Sequence, residues 1–134
     1  MSRLEALKPL GLLVLRLALG AILIAHGYPK LFTQTAGMIG FFEKIGFPAW
    51  TVYLAGAVEF FGGILLIGGL LTRLAGLLVA GQMAVAVLKV HLKNGLTGQG
   101  GYEYPLLLSC AALALVTVGA GLISLDRLIF GKNA

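Results

Sequence analysis

The chain has 134 residues, of which 59% are hydrophobic and only 11% are charged. A soluble domain carries about 25% charged residues, so this chain has too few to cover a water-facing surface. The composition therefore excludes a soluble globular domain. It predicts one integral membrane domain over residues 1–134, of the all-α class.

The net charge of +5 does not indicate nucleic-acid binding. The ten basic residues are scattered and mostly flank apolar segments, which is typical of membrane anchoring. Because there is no clustered basic stripe, we expect the lipid bilayer, and no nucleic acid, as a partner. Cys110 is the only cysteine, which excludes an intrachain disulfide, a CxxC relay and a thiolate metal cage within one chain.

The first apolar run, residues 10–27, follows Pro9, which suits the first turn of a helix. Arg16 interrupts the run and no clean small-x-small cleavage pattern is present. We therefore predict that about residues 9–28 form a membrane helix and not a cleaved signal peptide. Residues 31–47 are too short and too polar to span a membrane, and they predict a short amphipathic helix at the interface between helices one and two.

The second predicted helix, about residues 50–71, carries a single charge, Glu59, near its middle. A helix of this length rises about 33 Å and can cross the apolar part of a bilayer. A carboxylate at mid-membrane costs roughly 2.5–3.5 kcal/mol, so Glu59 must face protein or water, be paired, or hold its proton. Gly56, Gly62 and Gly63 lie on the same helix face and allow a neighbouring helix to come close.

Two more helices are predicted, over about residues 74–92 and 103–124. The glycine-rich loop between them lacks the strand and the Lys-Ser/Thr pair of a phosphate-binding loop. Four crossings place both termini on one side, and the positive-inside rule predicts that this side is cytoplasmic. The predicted cytoplasmic side holds the basic residues Arg3, Lys8, Arg73, Arg127 and Lys132. The other side holds Lys30, Lys44 and Lys93, and Lys89 lies nearby inside helix three.

Arg16 and Glu59 are the charged residues that the sequence places deepest. At a rise of about 1.5 Å per residue, Arg16 lies about 10 Å, and Glu59 about 17 Å, from the cytoplasmic ends of their helices. An arginine side chain reaches about 6 Å, so we predict a direct or water-bridged pair and take both as candidate catalytic residues. The alternative for Arg16 is that it snorkels to the cytoplasmic surface.

Other titratable residues gather near the opposite, extracytoplasmic ends of the helices. They predict a polar pocket open to that side, with Glu59 at its floor, or else an interfacial ring that marks the lipid boundary. The candidate substrate-binding residues are His26, Lys30, Lys89, His91 and Glu103. Lys89 and His91 point about 160° apart on a helix, so at most one of them faces the bundle axis.

Two histidines at similar depth are the minimum for a bis-histidine haem or a metal site. No CxxCH motif accompanies His26 and His91. We therefore predict no metal site, and we rank quinone above haem as a candidate cofactor.

Four motifs, in order along the chain, resemble those of the DoxX family of small bacterial and archaeal membrane proteins. They are LRLALGAILIAHGYPKLF, VEFFGGILLIGGLLTRLAG, KVHLKNGLTGQGGYEYPLLL and GAGLISLDRLI. The resemblance covers nearly the whole chain and implies a four-helix membrane bundle in a bacterial or archaeal cytoplasmic membrane. The family's polar positions would fall at Arg16, His26, Lys30, Glu59, His91, Glu103 and Asp126.

The family's name is tied to a terminal quinol oxidase and a thiosulfate:quinone oxidoreductase, and other members are linked to redox-stress complexes. The resemblance therefore implies a membrane subunit of a quinone-linked or redox-stress oxidoreductase system. Because the sequence shows no electron carrier, a redox partner protein would supply the electrons. The alternatives are a self-associating small-solute or lipid-binding protein, which would be transporter-like and non-enzymatic, and a membrane anchor for a partner.

Overall fold

The computed structural model describes residues 2–131, and in this range the chain forms helices and no strand. In chain order the helices are α1 (Ser2–Glu5), α2 (Lys8–Tyr28), α3 (Thr35–Lys44), α4 (Trp50–Gly68), α5 (Thr72–Ala86), α6 (Glu103–Val118) and α7 (Leu125–Phe130). A π-helical turn extends α2 over Pro29–Thr33, another extends α5 over Val87–His91, and a 3-10 turn follows over Leu92–Asn94. The all-α fold is confirmed, and α3 is the predicted short helix between helices one and two. Lys132 lies outside the described residues.

Three helical stretches are long and apolar enough to cross a membrane: Arg3–Thr33, Trp50–Gly68 and Thr72–Asn94. This confirms the membrane class. The fourth apolar helix, α6, has 16 residues. It rises about 24 Å, which is less than the roughly 30 Å of a bilayer's hydrocarbon core. The fourth crossing and the side on which the termini lie stay predictions.

The four long helices pack as two pairs, α2 with α4 and α5 with α6, and the pairs meet where α4 contacts α5. Glycines allow the first pair to approach closely. A Cβ atom added at Gly20 would lie 2.6 Å from the backbone oxygen of Gly63, and one added at Gly27 would lie 2.8 Å from that of Gly56. The prediction that small residues on the Glu59 face admit a neighbouring helix is therefore confirmed.

We expect Gly63→Ala to lower the free energy of unfolding by about 1–3 kcal/mol, because the new methyl group would meet the Gly20 backbone oxygen. Gly11→Ala is the matched control, since a Cβ atom there meets nothing within 4 Å. It should be neutral, or stabilising by about 0.5–1 kcal/mol through helix propensity. Thermal unfolding in detergent measures both, and equal stability of the two variants would contradict the close approach.

Two of the predicted helix ends were wrong, and left-handed backbone conformations explain both. The second helix ends at Gly68 instead of residue 71, because Gly69 caps it with φ +68°. The fourth ends at Val118 instead of residue 124, because Gly119 and Gly121 have φ of +87° and +89°. Residues 119–124 therefore form an irregular segment that turns back towards the ends of α2 and α4.

Arg16 is 1% exposed and holds this end of the bundle together. Its guanidinium donates hydrogen bonds to backbone oxygens at the C-terminal end of α4 and in the irregular segment 119–124. These acceptors are the oxygens of Leu66 (3.0 Å), Ile67 (3.3 Å), Ala120 (2.7 Å) and Ile123 (2.8 Å). The predicted pair with Glu59 was wrong, because carbonyls from the end of α4 and from residues 119–124 take the donors of Arg16.

Asp126, in α7, lies at the same end of the bundle as Arg16 and bonds to backbone N–H groups, whereas Arg16 bonds to backbone oxygens. Its carboxylate accepts the backbone N–H groups of Leu71 at 2.7 Å and Thr72 at 2.9 Å, and so caps the start of α5. We call Arg16 and Asp126 the helix-end clamp. Arg16 and Asp126 are two of the polar positions that the family resemblance singled out. Both bond to backbone groups, so their role in this structure is structural.

Candidate functional site

Glu59 lies in the middle of α4 and is 4% exposed. Its Oε2 atom accepts a hydrogen bond from Lys30 Nζ at 2.8 Å, and its Oε1 atom accepts one from Gln82 Nε2 at 2.7 Å. Of the environments that the sequence left open for Glu59, the structure shows contact with protein and an ion pair, and the partner is Lys30 instead of Arg16. We call Lys30, Glu59 and Gln82 the polar triad.

Local backbone geometry positions the two partners of Glu59. Lys30 lies in the π-helical turn that follows α2, and its Nζ also donates to the backbone oxygen of His26 at 3.2 Å. Gln82 reaches across from α5, and its Nε2 is 3.4 Å from the backbone oxygen of Ala55. Single π-turns often occur at functional sites, because the extra residue redirects side chains.

The polar triad carries no net charge and keeps part of its hydrogen-bonding capacity free. The side chains of Lys30 and Glu59 are 13% and 5% exposed, so the ion pair is largely desolvated. An ammonium has three donors, and two of them are used by Glu59 and His26. Among the described residues, neither the third donor of Lys30 nor the side-chain oxygen of Gln82 has a partner.

The triad lines a cavity of about 760 Å³, bounded by α2 to α6. A volume of this size is within the range of about 300–1,000 Å³ that is typical of small-molecule sites. Most of the wall is apolar. Its apolar side chains include Leu23, Met38, Phe41, Phe42, Leu54, Val58, Leu77, Leu78, Val85 and Leu108. The cavity therefore suits a ligand with a small polar head and a larger apolar body.

His26, on α2, and His91, in the π-helical turn after α5, both line this cavity. His26 Nδ1 donates to the backbone oxygen of Ile22 at 2.9 Å, and His91 Nδ1 donates to that of Gly100 at 2.7 Å. A carbonyl oxygen can only accept, so each neutral ring presents Nε2 as an acceptor. The His26 ring also contacts Tyr104, with centroids 5.6 Å apart.

Two predicted substrate-binding residues lie outside the cavity. Lys89 and Glu103 are both exposed and do not line it. His91 lines the cavity and Lys89 does not, in agreement with the expectation that at most one of the two faces the bundle axis. Glu103 occupies the first turn of α6, where an acid is favourable next to the helix dipole.

The sequence analysis did not assign Gln82 or Tyr104 to the site. Gln82 had a usable signal, because it is an amide inside an apolar helix at about the depth of Glu59. Tyr104 falls near the same helix ends as His26 and His91, but a tyrosine at a helix end is more typical of an interfacial belt. Phe41 and Phe42 of α3 also line the cavity. Their position depends on how the connection between α2 and α3 folds, which the sequence pattern does not specify.

Among the described residues, no group of three or more His, Cys, Asp or Glu side chains is arranged to hold a metal ion. The site consists of a neutral polar cluster in the wall of a largely apolar cavity, within a helical bundle of membrane type. The fold and the site together define a small helical membrane protein with a paired carboxylate in its interior.

The chain belongs to the DoxX family, whose profile matches residues 11–92. It is 38% identical over 125 residues to "Putative oxidoreductase CatD" of Bacillus subtilis, covering 92% of this chain and 91% of that protein. It is 34% identical over 140 residues to an uncharacterized protein of Haemophilus influenzae, covering 98% and 100%. It is 31% identical over 130 residues to "Inner membrane protein YqjF" of Escherichia coli, covering 96% and 98%. No solved structure gives a significant match.

Proposed function

We propose that this protein is a membrane subunit of a quinone-linked oxidoreductase system and binds a quinone with its head at the polar triad. The observation that carries the proposal is a buried, charge-neutral polar cluster in the wall of a largely apolar cavity. The oxidoreductase name of the Bacillus subtilis relative supports a redox role.

Charge balance favours a neutral ligand head over an anionic one. Glu59 already compensates the ammonium of Lys30 at 2.8 Å, so a carboxylate or phosphate would enter the cavity without a free cation. A quinone oxygen needs only one hydrogen-bond donor, and the third N–H of Lys30 can supply it. The apolar wall then holds the ring and the tail.

The proton steps follow from the hydrogen-bonding groups in the cavity. When a quinol becomes a quinone it releases two protons and two electrons. Nε2 of His26 and Nε2 of His91 can each accept one of the two protons, because Nδ1 of each ring already donates to a backbone carbonyl. The two electrons pass to a redox partner protein that carries its own electron acceptor, since a single cysteine offers no dithiol.

The test is to purify the protein in detergent, extract bound lipids and quantify quinone. We expect about one quinone per chain, because a cavity of this size holds one ligand. Trp50, the only tryptophan, directly precedes the cavity residue Thr51, so titrated quinone should also quench its fluorescence. Gln82→Leu should reduce both signals, and Lys93→Leu, an exposed change, should leave them unchanged. Extraction of another lipid in place of quinone would favour the non-enzymatic lipid-binding alternative.

A further inference from the structure

The cavity wall reaches the outer, lipid-facing sides of two helices. On α5, Val79 is fully buried, while Gly81 lies two residues further and therefore points about 200° away. Gly81 nevertheless lines the cavity and is exposed. On α4, Leu54 lies five residues before Glu59, about 140° round the helix, and is 55% exposed. The cavity thus extends from the core to the outside between α4 and α5.

The other helix pairs around the cavity are in contact with each other. Glycine contacts hold α2 against α4, with 2.6 Å between a Cβ atom built at Gly20 and the Gly63 oxygen. Gly76 brings α5 against α6, where a Cβ atom would meet the Ala112 oxygen at 2.9 Å. Between α2 and α6, the rings of His26 and Tyr104 are in contact.

Helix α3 covers the remaining end of the cavity, next to the ends of α2 and α4. Met38, Phe41 and Phe42 contribute apolar side chains to the wall there. A polar solute that entered from water past α3 would therefore have to cross apolar and aromatic side chains, which is unfavourable.

Gly81 is the smallest residue in the gap between α4 and α5. Its neighbours along the same side of α5, Leu77 and Val85, carry bulky side chains that are 56% and 46% exposed. A Cβ atom at Gly81 would meet nothing within 4 Å. Close packing of helices therefore does not require a glycine here, although it does at Gly20 and Gly63.

We propose that the gap at Gly81 is a lateral portal, bounded by Leu54, Leu77 and Val85, which admits a membrane-dissolved quinone and then holds its isoprenoid tail. This inference rests on the proposed function and adds the route of entry and the residue that controls tail selectivity. The head lies at the polar triad, and the tail leaves the protein between α4 and α5 towards lipid.

The test compares two ligands in detergent-purified protein: decylubiquinone and the same dimethoxy-methyl-benzoquinone ring without the tail. Gly81→Phe should weaken decylubiquinone binding about tenfold or more, because the ring takes the space of several buried methylenes. It should leave the tail-free ring within about twofold, because the head site is unchanged. Leu54→Trp, which fills the gap from the α4 side, should have the same effect. Gly11→Phe is the matched control, since a Cβ atom there also meets nothing within 4 Å.

Failure of the portal and failure of the proposed function give different results. If wild-type protein binds neither quinone, the proposed function is wrong. If wild-type protein binds both, and Gly81→Phe and Leu54→Trp bind decylubiquinone as tightly as wild type, the portal is wrong while quinone binding stands. Equal losses for both ligands, or the same loss in Gly11→Phe, would also contradict the portal.

Discussion

Lys30→Met is expected to lower the free energy of unfolding by about 3–5 kcal/mol, because it leaves the buried carboxylate of Glu59 without its cation. The same change should abolish quinone binding, since the N–H donor for the quinone oxygen is lost. Unfolding in detergent and fluorescence titration of Trp50 measure the two effects separately.

The double variant Lys30→Met/Glu59→Gln separates stability from binding. It should recover most of the lost stability, because no buried charge is left unpaired and Gln82 can still bond to residue 59. It should still fail to bind quinone. Lys44→Met, an exposed change on α3, is the control and should shift stability by no more than about 0.5 kcal/mol. A double variant as unstable as the single one would show that an unpaired charge is not the cause.

Arg16→Met is expected to reduce the free energy of unfolding by about 4 kcal/mol or more. The backbone oxygens of Ala120 and Ile123 lose their side-chain donor, at roughly 1–3 kcal/mol each, and that of Leu66 loses one of its two donors. Arg16→Lys should recover only part of this, because an ammonium cannot reproduce the planar set of donors. The matched control is Arg73→Gln. Arg73 is exposed, and its hydrogen bonds within residues 2–131 go to the backbone oxygens of Val116 and Thr117, so we expect a loss below about 1 kcal/mol.

The variant Arg16→Lys also tests whether Arg16 has a structural role or takes part in ligand binding. Arg16 does not line the cavity, so folded Arg16→Lys protein should bind quinone within about twofold of the wild-type affinity. Loss of quinone binding in a variant with unchanged stability would instead place Arg16 in the binding site.

The sequence by itself determined the membrane class, the helical fold and the position of each polar group along its helix. Glu59 could be recognised as a protected carboxylate because one charge in a long apolar run has few tolerable environments. Depth along a helix follows from a fixed rise per residue, so the gathering of His26, Lys30 and His91 at one end was predictable. The glycines near Glu59 indicated a close helix contact for a similar local reason.

Only the tertiary structure decided which groups meet. The partner of Glu59 is Lys30 because a π-turn after α2 directs the ammonium inwards, and no periodic pattern in the sequence marks that turn. Arg16 bonds to carbonyls of Ala120 and Ile123, more than a hundred residues away, because two left-handed glycines end α6 early. Pairing between helices depends on their rotation and on where each one ends. Both are set by packing against neighbours, which local sequence does not encode.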